Sequence, residues 1–102
     1  DDLSPAVAAA IYRLAQESVT NARRHARHAT QVTVAVTSDS ARVRLTVEDD
    51  GSPGPAGRVG AGYGLVGMRE RVTLLGGTFT AGPIAGKGWR VEAQVPLVGA
   101  QA

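Results

Sequence analysis

The sequence predicts a two-layer α+β domain, with two helices laid on one face of a mainly antiparallel mixed sheet. Three observations predict it. Apolar residues recur at helical spacing in two segments, they alternate with period two in two hairpins, and a Gly/Pro-rich stretch without periodicity separates the halves. The element order is α-β-β, loop, α-β-β. With 102 residues the chain fits one small domain, long enough for a two-layer core with little to spare.

Ser4-Pro5 starts the first helix: Ser4 can cap, and Pro5 suits the first turn. Val7, Ile11, Leu14, Ser18 and Ala22 then follow on one stripe, and the helix is expected over residues 3–28. Residues 31–48 read as a hairpin. In "QVTVAVT" Val32, Val34 and Val36 share one side, "SDS" is the turn, and in "RVRLTVE" Val43, Leu45 and Val47 face inward while Arg42, Arg44, Thr46 and Glu48 face outward. Residues 49–61 are the Gly/Pro-rich loop, and a structureless loop of this length in a compact domain is usually functional. Residues 62–75 hold the second helix, periodic from Leu65, with Met68, Val72 and Leu75 on one face and Gly76-Gly77 as its stop. Residues 78–97 form the last hairpin: a short strand from Thr78 to Ala81, a turn in "GPIAGKG", and a strand from Trp89 to Val95.

Composition excludes several classes. Apolar residues make up 43% and charged residues 20%, an ordinary balance for a folded domain in water. No apolar run is long enough to span a membrane, and the opening Asp1-Asp2 is unlike the basic start of a signal peptide, so a cytoplasmic location is expected, with the chain allowed to be the cytoplasmic part of a membrane-bound protein. Cysteine is absent, which removes disulfides and thiolate chemistry. The net charge is +2, and only four residues are aromatic; the basic residues are scattered apart from Arg23, Arg24 and Arg27. A nucleic-acid partner would call for a denser basic stripe with stacking aromatics, so none is expected.

All 13 glycines lie at Gly51 or later. Gly62-x-Gly64-x-x-Gly67 matches a dinucleotide fingerprint in spacing, but no strand precedes it, and the next acid after Glu70 is Glu92, inside a strand. A protein-kinase Gly-rich loop lacks its downstream lysine, HRD and DFG, and "GKGW" fails as a Walker A loop. What remains is either a flexible linker or a lid leading into a helix N-terminus, where the amides of Gly64, Leu65, Val66 and Gly67 would face an anion. On the first helix Glu17, Asn21, Arg24 and His28 form a polar stripe beside the apolar one. It is either a plain wet face or the wall of a cleft, in which Asn21 offers Mg²⁺ an amide oxygen, Glu17 orients a water or nucleophile, and Arg24 meets phosphate. Asp49-Asp50-Gly51 is either a strand-ending turn or an acceptor for a base amino group.

Taken together, "YRLAQESVTNARRHA", "VEDDG", "GYGLVGMRERV" and "GGTFTAGPIAGKGWRVEAQVPL" stand in an order and at separations that resemble the N box, G1 box, G2 box and C-terminal hairpin of the ATP-binding catalytic domain of bacterial sensor histidine kinases. The "GLVGMRERV" form is most similar to the subfamily that signals to LuxR-type response regulators. The resemblance covers nearly the whole chain. It implies the two-layer ATP-binding (Bergerat) fold shared with gyrase, MutL and a heat-shock chaperone, with ATP and Mg²⁺ as ligands. It further implies that Asn21 coordinates Mg²⁺, that Glu17 is the N-box acid, that Arg24 or His25 touches phosphate, and that Asp49 accepts from the adenine amino group. Gly51 would open the lid, while Gly62, Gly64, Leu65 and Gly67 would line the triphosphate. The implied partners are the dimerisation and phosphoacceptor domain of the same kinase and a response regulator; the isolated domain would be a monomer and the parent a homodimer.

Two departures from the family pattern stand out. Pro53 holds the place of the second G1 glycine, with Gly54 one later, and Lys87 interrupts a glycine turn. The chain's two histidines, His25 and His28, lie on the N-box helix and outside any His-acid dyad, so the phosphoacceptor is expected on another domain. Two other readings on the same fold are an anti-sigma-factor-type serine kinase and a non-catalytic nucleotide-binding module.

Overall fold

The computed structural model describes residues 4–25, 30–51, 62–84 and 88–97. Six elements follow in order: α1 (Pro5–His25), β1 (Val32–Ser38), β2 (Arg42–Asp49), α2 (Gly62–Leu74), β3 (Thr78–Pro83) and β4 (Trp89–Pro96). The expected α-β-β, α-β-β order is present. The strands form one sheet in the order β1-β2-β4-β3, and every described pair is antiparallel, so the mixed character expected of the sheet is not found among the described residues.

Local chemistry explains the element ends. The Ser4 hydroxyl accepts the Val7 amide at 3.2 Å, and the Ser4 carbonyl takes the Ala8 amide at 2.9 Å, which makes Ser4 the N-cap and Pro5 the first helical residue. The β1–β2 turn is held by Asp39, whose Oδ1 accepts the amides of Ala41 at 2.7 Å and Arg42 at 2.8 Å. These bonds hold the Asp39 carboxyl below the usual carboxylate range. Helix α2 ends in a Schellman motif: the Gly77 amide donates to the Val72 carbonyl and the Gly76 amide to that of Thr73, both at 2.9 Å, with Gly76 at φ 81°. Helix α2 starts at Gly62, three residues before its apolar periodicity begins, and β3 runs two residues past the expected Ala81. The expected end of α1 near residue 28 falls outside the described residues.

Both helices lie on one face of the sheet. The predicted stripe of α1 is buried throughout, and it meets Val43, Leu45 and Val47 of β2, Val91, Ala93 and Val95 of β4, Phe79 of β3, and Met68 and Val72 of α2. Burial of each large side chain here contributes about 1.5–3 kcal/mol. The opposite face is wet and carries Arg90–Glu48 at 2.7 Å and Arg44–Glu92 at 3.3 Å. The β1 valines share one side as expected, but that side is largely uncovered. Val34 and Val36 pair with Val47 and Leu45, so they share the helix-side face, yet they remain 45% and 52% exposed. They sit on the edge strand, beyond the reach of the helices, and only Val32 packs against the core.

Helix α1 runs along the sheet from end to end. At its start the Ser4 amide donates to the Leu97 carbonyl at 3.1 Å, just past β4. Its last turns lie at the opposite sheet end, where Asp49 closes β2 and pairs with Trp89, which opens β4.

Candidate functional site

At that end a small cleft opens between the layers. Ser18, Asn21 and Ala22 of α1 form one wall, Val47 and Asp49 of β2 with Trp89 and Val91 of β4 form the floor, and Leu65 of α2 closes the top. Helical spacing puts Ser18, Asn21 and Ala22 on one face of α1. The Ser18 hydroxyl is buried and lies 3.5 Å from the Met68 sulfur, which ties the wall to α2.

Asn21 is half-buried, and its Nδ2 is fully covered without a hydrogen-bond partner among the described residues. Such an orphan is costly, on the order of 1–3 kcal/mol, and a water, an ion or a ligand atom can relieve it. A half-turn of the amide exchanges its nitrogen for its oxygen, so the group suits a phosphate oxygen or a hard cation equally. Asp49 is 6% exposed, and its Oδ1 accepts the Gly51 amide at 2.9 Å. Gly88, at φ 126°, lets the start of β4 lie against Asp49: a Cβ there would stand 2.5 Å from the Asp49 carbonyl oxygen. Next to it, Asp50 accepts the Thr30 amide at 2.8 Å, the Gln31 amide at 3.1 Å and the Thr30 hydroxyl at 2.5 Å. The Thr30 hydroxyl and then its amide push the Asp50 carboxyl down to about 2. Asp50 thereby fastens the approach to β1 beside the cleft, a role not foreseen from the sequence, where Thr30 and Asp50 are 20 residues apart.

Asn21, Asp49 and Leu65 therefore meet in one cleft, and Gly51 joins it through its bond to Asp49. Gly62 and Gly64 lie in the first turn of α2. Because the helix begins at Gly62, its unpaired amides are those of that first turn, and the amides of Val66 and Gly67 belong to the helix interior. Gly67 faces open space, with nothing within 4 Å of where a Cβ would stand. Glu17 turns from the cleft to α2, where its Oε1 accepts from Arg71 Nη1 at 2.8 Å. Arg71 belongs to the "GMRERV" segment, but its partner lies 54 residues earlier, and the sequence carries no sign of the pairing. Arg24 is exposed and does not line the cleft. His25 is the last residue of α1, and its side chain lies outside the described residues, as do Pro53, Gly54, Lys87 and the expected lid from Ser52 to Ala61.

A larger groove of about 490 Å³ runs between α1 and α2 past Ala6, Ala9, Tyr12 and Leu74. Neither Asn21 nor Asp49 reaches it, so the smaller cleft holds the convergent polar groups that define a site.

The chain matches the family described as histidine kinase-, DNA gyrase B- and HSP90-like ATPase over residues 6–99. It belongs to that ATPase family. Among curated relatives, sensor histidine kinase YxjM of Bacillus subtilis is 35% identical over 94 residues, covering 92% of this chain and 22% of that protein. The signal transduction histidine-protein kinase/phosphatase UhpB of Salmonella typhimurium is 40% identical, covering 92% of this chain and 18% of that protein. The chain thus spans only a small part of the relatives it matches. The histidine kinase domain of a blue-light activated histidine kinase from Erythrobacter litoralis superposes with a TM-score of 0.58 at 29% identity, over 82% of this chain and 42% of that one. No helix among the described residues is long and apolar enough to cross a membrane.

The family binds ATP, typically with Mg²⁺, and the residues present suit both. The orphaned Asn21 amide wants a polar partner, and the first-turn amides of α2 have none within the helix. Among the described residues no group of three or more His, Cys, Asp or Glu side chains is placed to hold a metal ion.

Proposed function

We propose that this chain is the ATP-binding catalytic domain of a sensor histidine kinase. It holds Mg²⁺–ATP while the γ-phosphoryl passes to a histidine on a separate dimerisation domain, for onward signalling to a LuxR-type response regulator. The observation that carries this reading is the meeting of Asn21 and Asp49, from different layers, in one cleft where the Asn21 amide lacks a partner. In this reading Asp49 accepts from the adenine amino group and Asn21 binds the cation. The first turn of α2 offers its amides to the phosphates, while Arg24 and His25 stand near the phosphate end of α1. Glu17 orients the incoming imidazole, released from Arg71 or acting through its second oxygen. Mg²⁺ neutralises developing phosphate charge; the rest of catalysis is positioning. With its acceptor on another domain, the chain alone binds ATP and turns over little.

Calorimetric titration tests the reading. Mg²⁺–ATP should bind the parent chain, and Asn21→Ala should weaken that binding by tenfold or more, about 1.4 kcal/mol. Undiminished binding would remove Asn21 from the site. Joined to its dimerisation domain, the chain should acquire an acid-labile phosphate from γ-labelled ATP; an acid-stable label would point to a serine kinase instead.

A further inference from the structure

The nucleotide reading leaves one wall of the cleft without a role. Trp89 is the chain's single tryptophan, and it lines the same cleft as Asn21 and Asp49. It is half-buried and directly opposite Asp49 in the β2–β4 register. Its backbone position is fixed by Gly88, which packs against the Asp49 carbonyl. Besides Trp89, Asn21 and Asp49, the cleft is lined by Ser18, whose hydroxyl lies against the Met68 sulfur, and by the aliphatic Ala22, Val47, Leu65 and Val91. Among the described lining residues, a flat heteroaromatic ring whose amino edge meets Asp49 thus has one aromatic surface within reach, the indole.

We infer that Trp89 is a base-contact residue that sets the preference of this site for purine nucleotides; the inference rests on the nucleotide reading above. The enclosed volume of the cleft is about 10 Å³, room for about one water. A purine therefore requires the lining to open, at Leu65, at the indole or at the α1 wall. In each case the indole exchanges aliphatic neighbours or water for a base. Contact of a base with an aromatic side chain is favourable by enough to change affinity about tenfold, and the larger purine face gains more than a pyrimidine.

Emission from this lone tryptophan gives a direct test on the 102-residue chain. It should be titrated with Mg²⁺–ATP, Mg²⁺–CTP and Mg²⁺–tripolyphosphate, with calorimetry run in parallel. Mg²⁺–ATP should change the emission and saturate at the calorimetric Kd. Tripolyphosphate should bind without the change, and CTP should bind about tenfold more weakly than ATP. Trp89→Thr should lose about tenfold in ATP affinity with tripolyphosphate affinity intact, and Trp89→Phe should recover most of the loss. If calorimetry records ATP binding while emission stays unmoved, or tripolyphosphate gives the same emission change, the base contact is refuted and the nucleotide reading survives. Equal losses for both ligands in Trp89→Thr would make the indole a packing residue and refute the contact. If Mg²⁺–ATP produces no heat and no emission change, both readings fall.

Discussion

Asp50 shows how one carboxylate can organise a neighbourhood without entering the cleft. It gathers two amides and a hydroxyl from Thr30 and Gln31, and these lower its carboxyl from 3.8 to about 2. The folded state thus favours the ionised form. The stabilisation is complete above the unfolded value and fades as pH falls through about 4 toward 2. Asp50→Asn should lower the thermal midpoint at pH 7, and the gap to the parent protein should close as pH approaches 2. A gap of constant size from pH 7 to pH 2.5 would contradict this. Acid sensitivity that survives in the variant belongs in part to Asp39, whose carboxyl is lowered by the Ala41 and Arg42 amides. At this scale the sequence was partly legible. The positions of Asn21 and Asp49 could be read because each sits at a definite place on a recognisable element, the polar flank of a helix and the end of a strand. Arg71 and Thr30 could not, because their partners are 54 and 20 residues away and only the folded chain brings them together.

Between elements, the Arg71–Glu17 pair fastens α2 to α1. The side chains are 30% and 42% exposed, so water screens much of the attraction, and the pair stabilises the fold by only ~0.2–1 kcal/mol. A double-mutant cycle of Glu17→Gln and Arg71→Ala, followed by urea denaturation, should return a coupling energy within that range. A coupling above about 2 kcal/mol would mean that the pair is far less hydrated than its exposure indicates. The elements themselves were the most legible part of the chain. Ser4-Pro5, the SDS turn and Gly76-Gly77 are local signals, satisfied by bonds spanning two to five residues. Strand β1 was read less well. Its period-two valines are real, but periodicity states which residues share a face and is silent on whether a helix covers that face.

For the whole molecule, the consequence is an uneven distribution of stability. The central strands β2 and β4 carry most of the sheet's share of the core, whereas edge strand β1 contributes Val32 alone. Leu45 is fully buried, and Leu45→Ala should cost about 2–5 kcal/mol, a large share of the ~5–15 kcal/mol that holds a small domain together. Val36→Thr, directly across the ladder, should change stability by less than about 0.5 kcal/mol. Chemical denaturation of the two variants checks this; similar losses would mean that β1 is covered. The layered architecture was legible because two helical stripes and two alternating hairpins have few ways to bury their apolar faces together. The closed state of the cleft was not, since it depends on how Leu65 and Trp89 happen to settle against the sheet.

The bond between Ser4 and Leu97 gives α1 a mechanical character. It pins the helix at the sheet end farthest from the cleft, and Asn21 stands 17 residues beyond it. At 1.5 Å per residue that is a lever arm of about 25 Å, so a tilt of about 5° about the pin carries Asn21 through roughly 2 Å. A displacement of that size spans much of the difference between a gap that admits one water and a slot that admits a flat ring. A tilt of the helix about that pin would thus widen or narrow the site at Asn21 while its base scarcely moved.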